Sequence, residues 1–192
     1  MKNYIYILIF LISALSFGQS VKSENDISKK KYAFKSGEWL KFRMSYSNFL
    51  NAGYSTMEVR GASNNGKEAF HILGKGKSTG LISLFFKVED YYSSYFDSNN
   101  VTPVFFKRNI YEGGYTKNLE VSFDSQGNKA SVNNIKKGTL EVIPTEENVQ
   151  DLISSLYYLR KNFSSENIKI GDFFTINMFY DSKNRELALQ YL

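Results

Sequence analysis

The sequence of 192 residues has no cysteine, only two prolines, one histidine and one tryptophan. The lack of cysteine excludes disulfides and thiolate zinc sites, so a hydrophobic core must stabilise the fold. A catalytic triad or a histidine metal site would have to use His71, the single histidine. His71 lies within a predicted strand, and we interpret it as an ordinary packed or surface side chain. No Gly-x-Ser-x-Gly motif is present, and the sequence predicts no catalytic residue, no metal ligands and no cofactor.

The charge balance is mildly basic, with 24 lysines and arginines, 19 acidic residues and a net charge of +5. This charge is spread thinly, and its densest cluster is Lys29, Lys30 and Lys31, just before the first predicted strand. We interpret the cluster as part of a solvent-exposed segment that precedes the first strand, and we predict no nucleic-acid partner. Weak attraction to anionic lipid or polysaccharide stays open.

The first 18 residues predict a cleavable secretion signal. Lys2 supplies the positive start, residues 4–15 form the apolar run, and Ser16 and Gly18 fit the small positions of a cut after Gly18. The run is too short for a comfortable transmembrane helix of about 20 residues, although an uncleaved anchor is the alternative. We therefore predict an exported protein, located in the periplasm or else outer-membrane-associated or extracellular, with no membrane span after cleavage.

The remaining sequence predicts a flexible leader over residues 19–31 and one β-rich domain over residues 32–192. Aromatic residues make up 16% of the chain and favour strands. In Trp39–Tyr46 apolar and polar residues alternate, which is typical of a half-buried strand, and Asn64-Asn65-Gly66 indicates a tight hairpin. Further strands are predicted at residues 54–60, 68–74, 82–97, 102–113, 115–124, 129–133, 138–143, 171–180 and 185–192.

One α-helix is predicted near residues 146–162. Pro144-Thr145 followed by Glu146 and Glu147 indicates a helix start. An apolar stripe then recurs at steps of three and four residues, which predicts that the helix packs on the sheet. The stripe consists of Val149, Leu152, Ile153, Leu156, Tyr157 and Leu159.

The predicted fold class is mainly β: a curved antiparallel meander sheet, as a half-barrel or open barrel, with this one packed helix. The last predicted strand reaches the end of the sequence in apolar phase, with Leu187, Leu189 and Tyr191 on one side. We therefore expect the domain to be truncated at its C-terminus.

Two charged residues of opposite sign lie on the apolar faces of two neighbouring predicted strands. Asp90 shares its face with apolar residues of strand 82–97, and Arg108 shares its face with apolar residues of strand 102–113. A hairpin centred on Asn99 places Asp90 opposite Arg108. We hypothesise that they form a cross-strand pair inside the concave face, where a charge needs a partner. The alternative role of such a pair is to fix strand register.

The functional version of this hypothesis is a polar anchor in an apolar pocket. The candidate ligand-binding residues are then Asp90, Arg108, Phe42, Phe86, Tyr92 and Phe106.

Several segments occur in an order typical of one protein family. They are SGEWLKF at 36–42, NAGY at 51–54, FFKVEDYY at 85–92, EGGY at 112–115 and DLISSLYYLR at 151–160. The chain thus resembles the exported domain-of-unknown-function family 3108 of Gram-negative bacteria, from about residue 34 to residue 192. The resemblance implies an exported, mostly β domain and supplies no activity and no catalytic residues.

Three functions are compatible with these features. The first is a non-enzymatic binding module for a hydrophobic or lipid-like ligand, held in a cleft lined by Phe and Tyr. The second is an envelope structural or adaptor protein that binds another protein through a sheet edge. The third is a cell-wall or polysaccharide hydrolase, for which the sequence offers no nucleophile or metal set.

Overall fold

The computed structural model describes residues 33–46, 50–163 and 168–192. The predicted signal over residues 1–18 and the leader over residues 19–31 lie outside the described residues. Within these ranges, eight strands form one antiparallel sheet in the order β1 to β8, and two further strands, β9 and β10, form a separate hairpin. The strands are β1 Trp39–Tyr46, β2 Leu50–Asn64, β3 Lys67–Ser78, β4 Val88–Asp97, β5 Pro103–Glu112, β6 Tyr115–Asp124, β7 Lys129–Asn134, β8 Thr139–Pro144, β9 Phe173–Tyr180 and β10 Lys183–Gln190.

The predicted mainly β meander is confirmed. Each strand of the large sheet pairs with its neighbour in sequence, and within the described residues β1 and β8 do not pair with each other, so the sheet stays open. Among the described residues, two helices accompany the sheet, α1 at Gly80–Phe85 and α2 at Leu152–Asn162.

The prediction of one long strand over residues 82–97 is wrong, because α1 occupies its first part and β4 begins only at Val88. Gly80 has a φ of +60°, which ends the extended backbone of β3. The Ser83 hydroxyl then donates a hydrogen bond to the Gly80 carbonyl oxygen at 2.7 Å. The alternating apolar residues of this segment therefore belong to a short helical turn.

The packed helix also begins later than predicted, at Leu152. Pro144 ends strand β8, and Asn148 has a φ of +54°, which a helix does not accommodate. The start is set by Asp151, whose side chain accepts hydrogen bonds from the Ile153 and Ser154 amides in a capping box.

Strand register puts one set of side chains on the inner face of the sheet, against α2. Directly paired residues share a face, as in the row Met57, Gly74, Tyr92, Arg108 and Leu119 that crosses β2 to β6. The next row on this face carries much of the core. It consists of Val59, Ile72, Ser94, Phe106, Val121 and Val132, all of them buried.

Helix α2 covers the centre of this inner face. Tyr157 is fully buried, and its ring lies edge-on to Phe34 at 4.7 Å between centroids. Beside the helix, Phe179 of β9 is buried against Phe123 of β6, with 5.9 Å between ring centroids. The first strands are covered less completely, and there Met44 of β1 is exposed.

Candidate functional site: an apolar cleft on the inner face

A cleft of about 530 Å³ lies on the inner face of strands β1 to β4, between α1 and the first turn of α2. Its walls are mostly aliphatic, thioether and aromatic side chains. They include Met44, Met57, Ile82, Phe86, Val88 and Leu152. A concave apolar site with few polar groups is the usual form of a small-molecule binding site.

Two glycines of β3 form the floor of the cleft. A Cβ atom at Gly74 would lie 3.3 Å from both the Cδ1 of Ile153 and the Cβ of Tyr92, which is a tight approach. A Cβ atom at Gly76 would meet only the Cβ of Asp90, at 3.7 Å. Gly74 therefore allows the close packing of Ile153 and Tyr92, and the absence of a side chain at Gly76 leaves room for an occupant.

Asp90 is the buried acidic group of the cleft, with 9% of its surface exposed. Its Oδ1 atom has no hydrogen-bond partner among the described residues. Burial, followed by the nearby carboxylate of Glu112, raises the pKa of Asp90 to about 6, and a hydrogen bond from the Tyr111 backbone opposes the shift. Below about pH 6 the carboxyl group of Asp90 is therefore mostly protonated, and in that form it can donate a hydrogen bond as well as accept one.

The predicted cross-strand pair between Asp90 and Arg108 is wrong in register, although both residues lie on the inner face. Asp90 pairs with Ile110, and Arg108 pairs with Tyr92. The ion-pair partner of Arg108 is Asp181, with 3.5 Å between Nη1 and Oδ1. A bulge between Tyr95 and Phe96 shifts the register, so a symmetric hairpin about Asn99 does not form.

The six candidate ligand-binding residues do not all meet in one place. Asp90, Tyr92 and Phe86 line the cleft, and Phe86 covers Gly113, where a Cβ atom would lie 2.2 Å from its ring. Phe42 is exposed on β1 and does not line the cleft, although its strand partner Ser55 does.

The other two candidates lie outside the cleft lining. Phe106 is buried in the core, where its ring stacks on Tyr92 at 6.3 Å between centroids. Arg108 is buried as well, with its guanidinium 5.0 Å from the Tyr180 ring.

Sequence reasoning missed the methionines Met44 and Met57, the helix residue Leu152 and the two glycines of the floor. The glycines carried a usable signal, because glycine inside a strand often marks close approach of a ligand or of another backbone. The methionines and Leu152 carried none, since apolar residues of a cleft and of a core have the same periodicity.

His71 lies on the opposite face of the sheet, as an ordinary packed side chain. Its ring stacks on Tyr95 at 3.9 Å, and its Nε2 atom lies 2.9 Å from the Ser93 hydroxyl. Burial lowers the pKa of His71. Among the described residues, no group of three histidine, cysteine or acidic side chains is placed to hold a metal ion. The helices that the structure describes are all too short or too polar to cross a membrane.

Comparison with known proteins identifies a family and no individual relative. No curated protein and no solved structure matches the chain. A family model described as "Protein of unknown function (DUF3108)" matches residues 41–192, which include the whole cleft. The chain therefore belongs to the DUF3108 family.

Proposed function

We propose that this protein is a non-enzymatic module that binds a hydrophobic or lipid-like ligand in the inner-face cleft. The observation that carries the proposal is the cleft itself: about 530 Å³ of space over two glycines, with apolar walls. An open apolar cleft leaves hydrophobic surface in contact with water, and covering that surface with an apolar ligand is favourable.

The composition of the walls favours a flexible, apolar occupant. Met44 and Met57 bring thioether side chains that adapt to irregular shapes. Burying the apolar part of a ligand against these walls contributes about 25 cal/mol of binding free energy per Å² of buried surface. An acyl chain or a similar group is therefore held by the hydrophobic effect rather than by specific polar contacts.

Asp90 gives the ligand an orientation. Its Oδ1 atom is buried and without a hydrogen bond within the described structure, and leaving such a group unsatisfied costs about 1–3 kcal/mol. A ligand with a hydroxyl or amino group beside its apolar part satisfies this oxygen. The proposed ligand is thus an amphiphile with a donor group at one end.

The N-terminal signal pattern supports the proposal that the module works outside the cytoplasm. Exported proteins meet lipids and acyl chains at the membranes of the cell envelope. We therefore propose the periplasm as the place of binding, with an outer-membrane-associated or extracellular location as the alternative.

The test is mass spectrometry of the lipids that co-purify with the secreted protein. The protein is expressed with its signal, purified from the periplasm of a Gram-negative host and extracted with organic solvent. We expect an amphiphile that is enriched over total periplasmic extract. A Gly76→Leu variant purified in the same way fills the floor and should lack it. A folded wild-type protein with no enriched species would refute the proposal.

The edge of the sheet supports the adaptor function as a second candidate. On β8, Leu140 and Val142 are exposed, and β8 pairs only with β7 among the strands that the structure describes. An exposed edge of this kind can accept a strand from another protein. Crosslinking from a photoreactive side chain at Leu140 in whole cells tests this candidate, which predicts one specific partner.

A further inference from the structure

Helix α1 exposes an unusual amount of apolar surface. Leu84 is 76% exposed and Phe85 is 88% exposed, and Leu81 is exposed beside them. None of the six residues of α1, all of which the structure describes, is buried. A helix of a folded protein normally turns its apolar residues to the core, and a contiguous apolar patch at the surface marks an interaction site.

The charges within α1 and at its two borders are basic. No acidic residue occurs between residues 78 and 88, and Lys77 and Lys87 flank the apolar segment. Glu89 is the nearest acidic residue in sequence: it forms an ion pair with Lys87 at 3.1 Å and lies opposite Lys77, which is exposed. An apolar tip between lysines is typical of segments that lie in a membrane interface, where lysines reach the lipid phosphates.

The topology gathers similar residues at the same end of the sheet. In an antiparallel meander alternate connections lie at one end, so α1 shares its end with the β5–β6 and β7–β8 turns. These turns are bordered by exposed Tyr115 and Ile135 and by the basic residues Lys136 and Lys137. We name this end, with α1, the apolar end.

The connections at the other end of the sheet are polar. They carry Asn64-Asn65-Gly66, Ser98-Asn99-Asn100 and Ser125-Gln126-Gly127-Asn128. One end of the sheet thus carries exposed apolar residues and lysines, whereas the connections at the other end carry polar residues. This difference is expected if only the first end contacts a membrane.

We propose that the apolar end docks on the surface of an anionic lipid bilayer, with Leu84 and Phe85 inserted among the acyl chains. Charge complementarity favours an anionic bilayer over a protein, because the cluster combines lysines with apolar tips and has no acidic residue in α1. Ile82 and Phe86 belong to the same segment and line the cleft, so the cleft opens beside the docking surface. The docking goes beyond ligand binding and stands even if the cleft takes no ligand.

The first test places a fluorescent reporter at the tip. The single tryptophan, Trp39, is replaced by phenylalanine, and Phe85→Trp is added to this background; Val142→Trp, at an exposed apolar position toward the opposite end of β8, is the matched control. The processed, secreted protein is mixed with vesicles of phosphatidylglycerol and phosphatidylcholine. We expect a blue shift and protection from acrylamide for the Phe85→Trp protein only. Unchanged emission from it, or equal shifts for both proteins, would overturn the proposal.

The second test measures binding by vesicle flotation. We expect the double variant Leu84→Ser with Phe85→Ser to partition more than about tenfold more weakly than wild type, because each buried apolar side chain contributes substantially to insertion. The matched variant Trp39→Ser with Val142→Ser, which removes two exposed apolar residues outside the apolar end, should float like wild type. Pure phosphatidylcholine vesicles should bind less protein. If wild type ignores anionic vesicles, α1 is a surface for a protein and the proposal is wrong.

Discussion

The carboxylate of Asp151 accepts a hydrogen bond from the Ser94 hydroxyl at 2.7 Å, which joins the N-terminus of α2 to strand β4. The same side chain accepts hydrogen bonds from the Ile153 and Ser154 amides at 2.8 Å each. All of these groups are buried. The cap of α2 is thus also the polar contact that fixes the helix on the sheet.

Replacement of Asp151 by alanine should lower the free energy of unfolding by about 2–4 kcal/mol. A cap contributes about 1 kcal/mol, and the loss also leaves the buried Ser94 hydroxyl without its acceptor. Urea denaturation followed by circular dichroism measures the change. Asp124→Ala is the control, because Asp124 also accepts a backbone hydrogen bond, from Gly127 at 3.0 Å, but is exposed. Equal losses for the two variants would contradict the structural role of Asp151.

Stability should fall as the pH rises from about 4 to about 6. Burial raises the pKa of both Asp90 and Asp151 from 3.8 to about 6. Between these values the unfolded chain releases protons that the folded protein keeps, so the folded state binds more protons and loses stability with rising pH. Above about pH 6 the folded and the unfolded protein have both released these protons, so the two carboxyl groups cause no further loss of stability.

Asp90→Asn isolates the share of Asp90 in this effect. Its side chain faces Glu112 and Arg108 of β5, and the asparagine does not titrate. The stability of the variant relative to wild type should be higher at pH 7 than at pH 4, by on the order of 1–2 kcal/mol after allowance for solvent screening. Urea titrations of both proteins at the two pH values measure it. A constant difference would show that Asp90 does not titrate in this range.

Gly76→Leu should weaken binding of a fluorescent long-chain alcohol at least about tenfold, because the side chain projects into the cleft and displaces the apolar part of the probe. Fluorescence titration gives the dissociation constants. Gly61→Leu is the matched control: Gly61 lies within the neighbouring strand β2, is exposed, and has only Ser36 near its added Cβ, at 3.6 Å. Equal affinities for the two variants would exclude the cleft as the binding site.

Arg160→Ala should destabilise the protein by about 2 kcal/mol. The guanidinium of Arg160 donates to both carboxylate oxygens of Glu38 and to the Ala33 carbonyl oxygen at 3.0 Å, and it lies 5.6 Å from the Phe34 ring. The bidentate pair of Arg60 and Glu58 has the same chemistry in an exposed position, so Arg60→Ala should change stability far less. Thermal unfolding of the two variants compares them directly, and the reverse order would count against the prediction.

The sheet was largely predictable because its strands have one buried face. The bounds of β1 and β6 agree with the predicted strands, since alternation along each is regular and turn residues mark the ends. Residues 82–87 were not predictable in this way. Their apolar residues alternate like a strand but face solvent or the cleft, and a pattern of hydrophobicity does not distinguish a buried core from an exposed apolar surface.

The sequence predicted correctly which face of the sheet carries Asp90 and Arg108, but it did not predict which residues they pair with. Asp90 and Arg108 share the inner face as their phase indicates, whereas the bulge at Tyr95 and Phe96 moves the register. A bulge depends on the packing around a single peptide unit, so it cannot be recognised from the alternation of apolar and polar residues in the sequence. The true partner of Arg108, Asp181, lies in the turn of a separate hairpin, and no local pattern links the two.

The strictly neighbouring order of the eight strands has a consequence for how quickly the chain reaches its native state. Each hairpin closes a short loop, so little entropy is lost before its contacts form, and the relative contact order is low for a β protein. The sheet can therefore assemble progressively from its amino-terminal strands. The slow step is then the arrival of α2, whose cap residue Asp151 lies 57 positions along the sequence from Ser94.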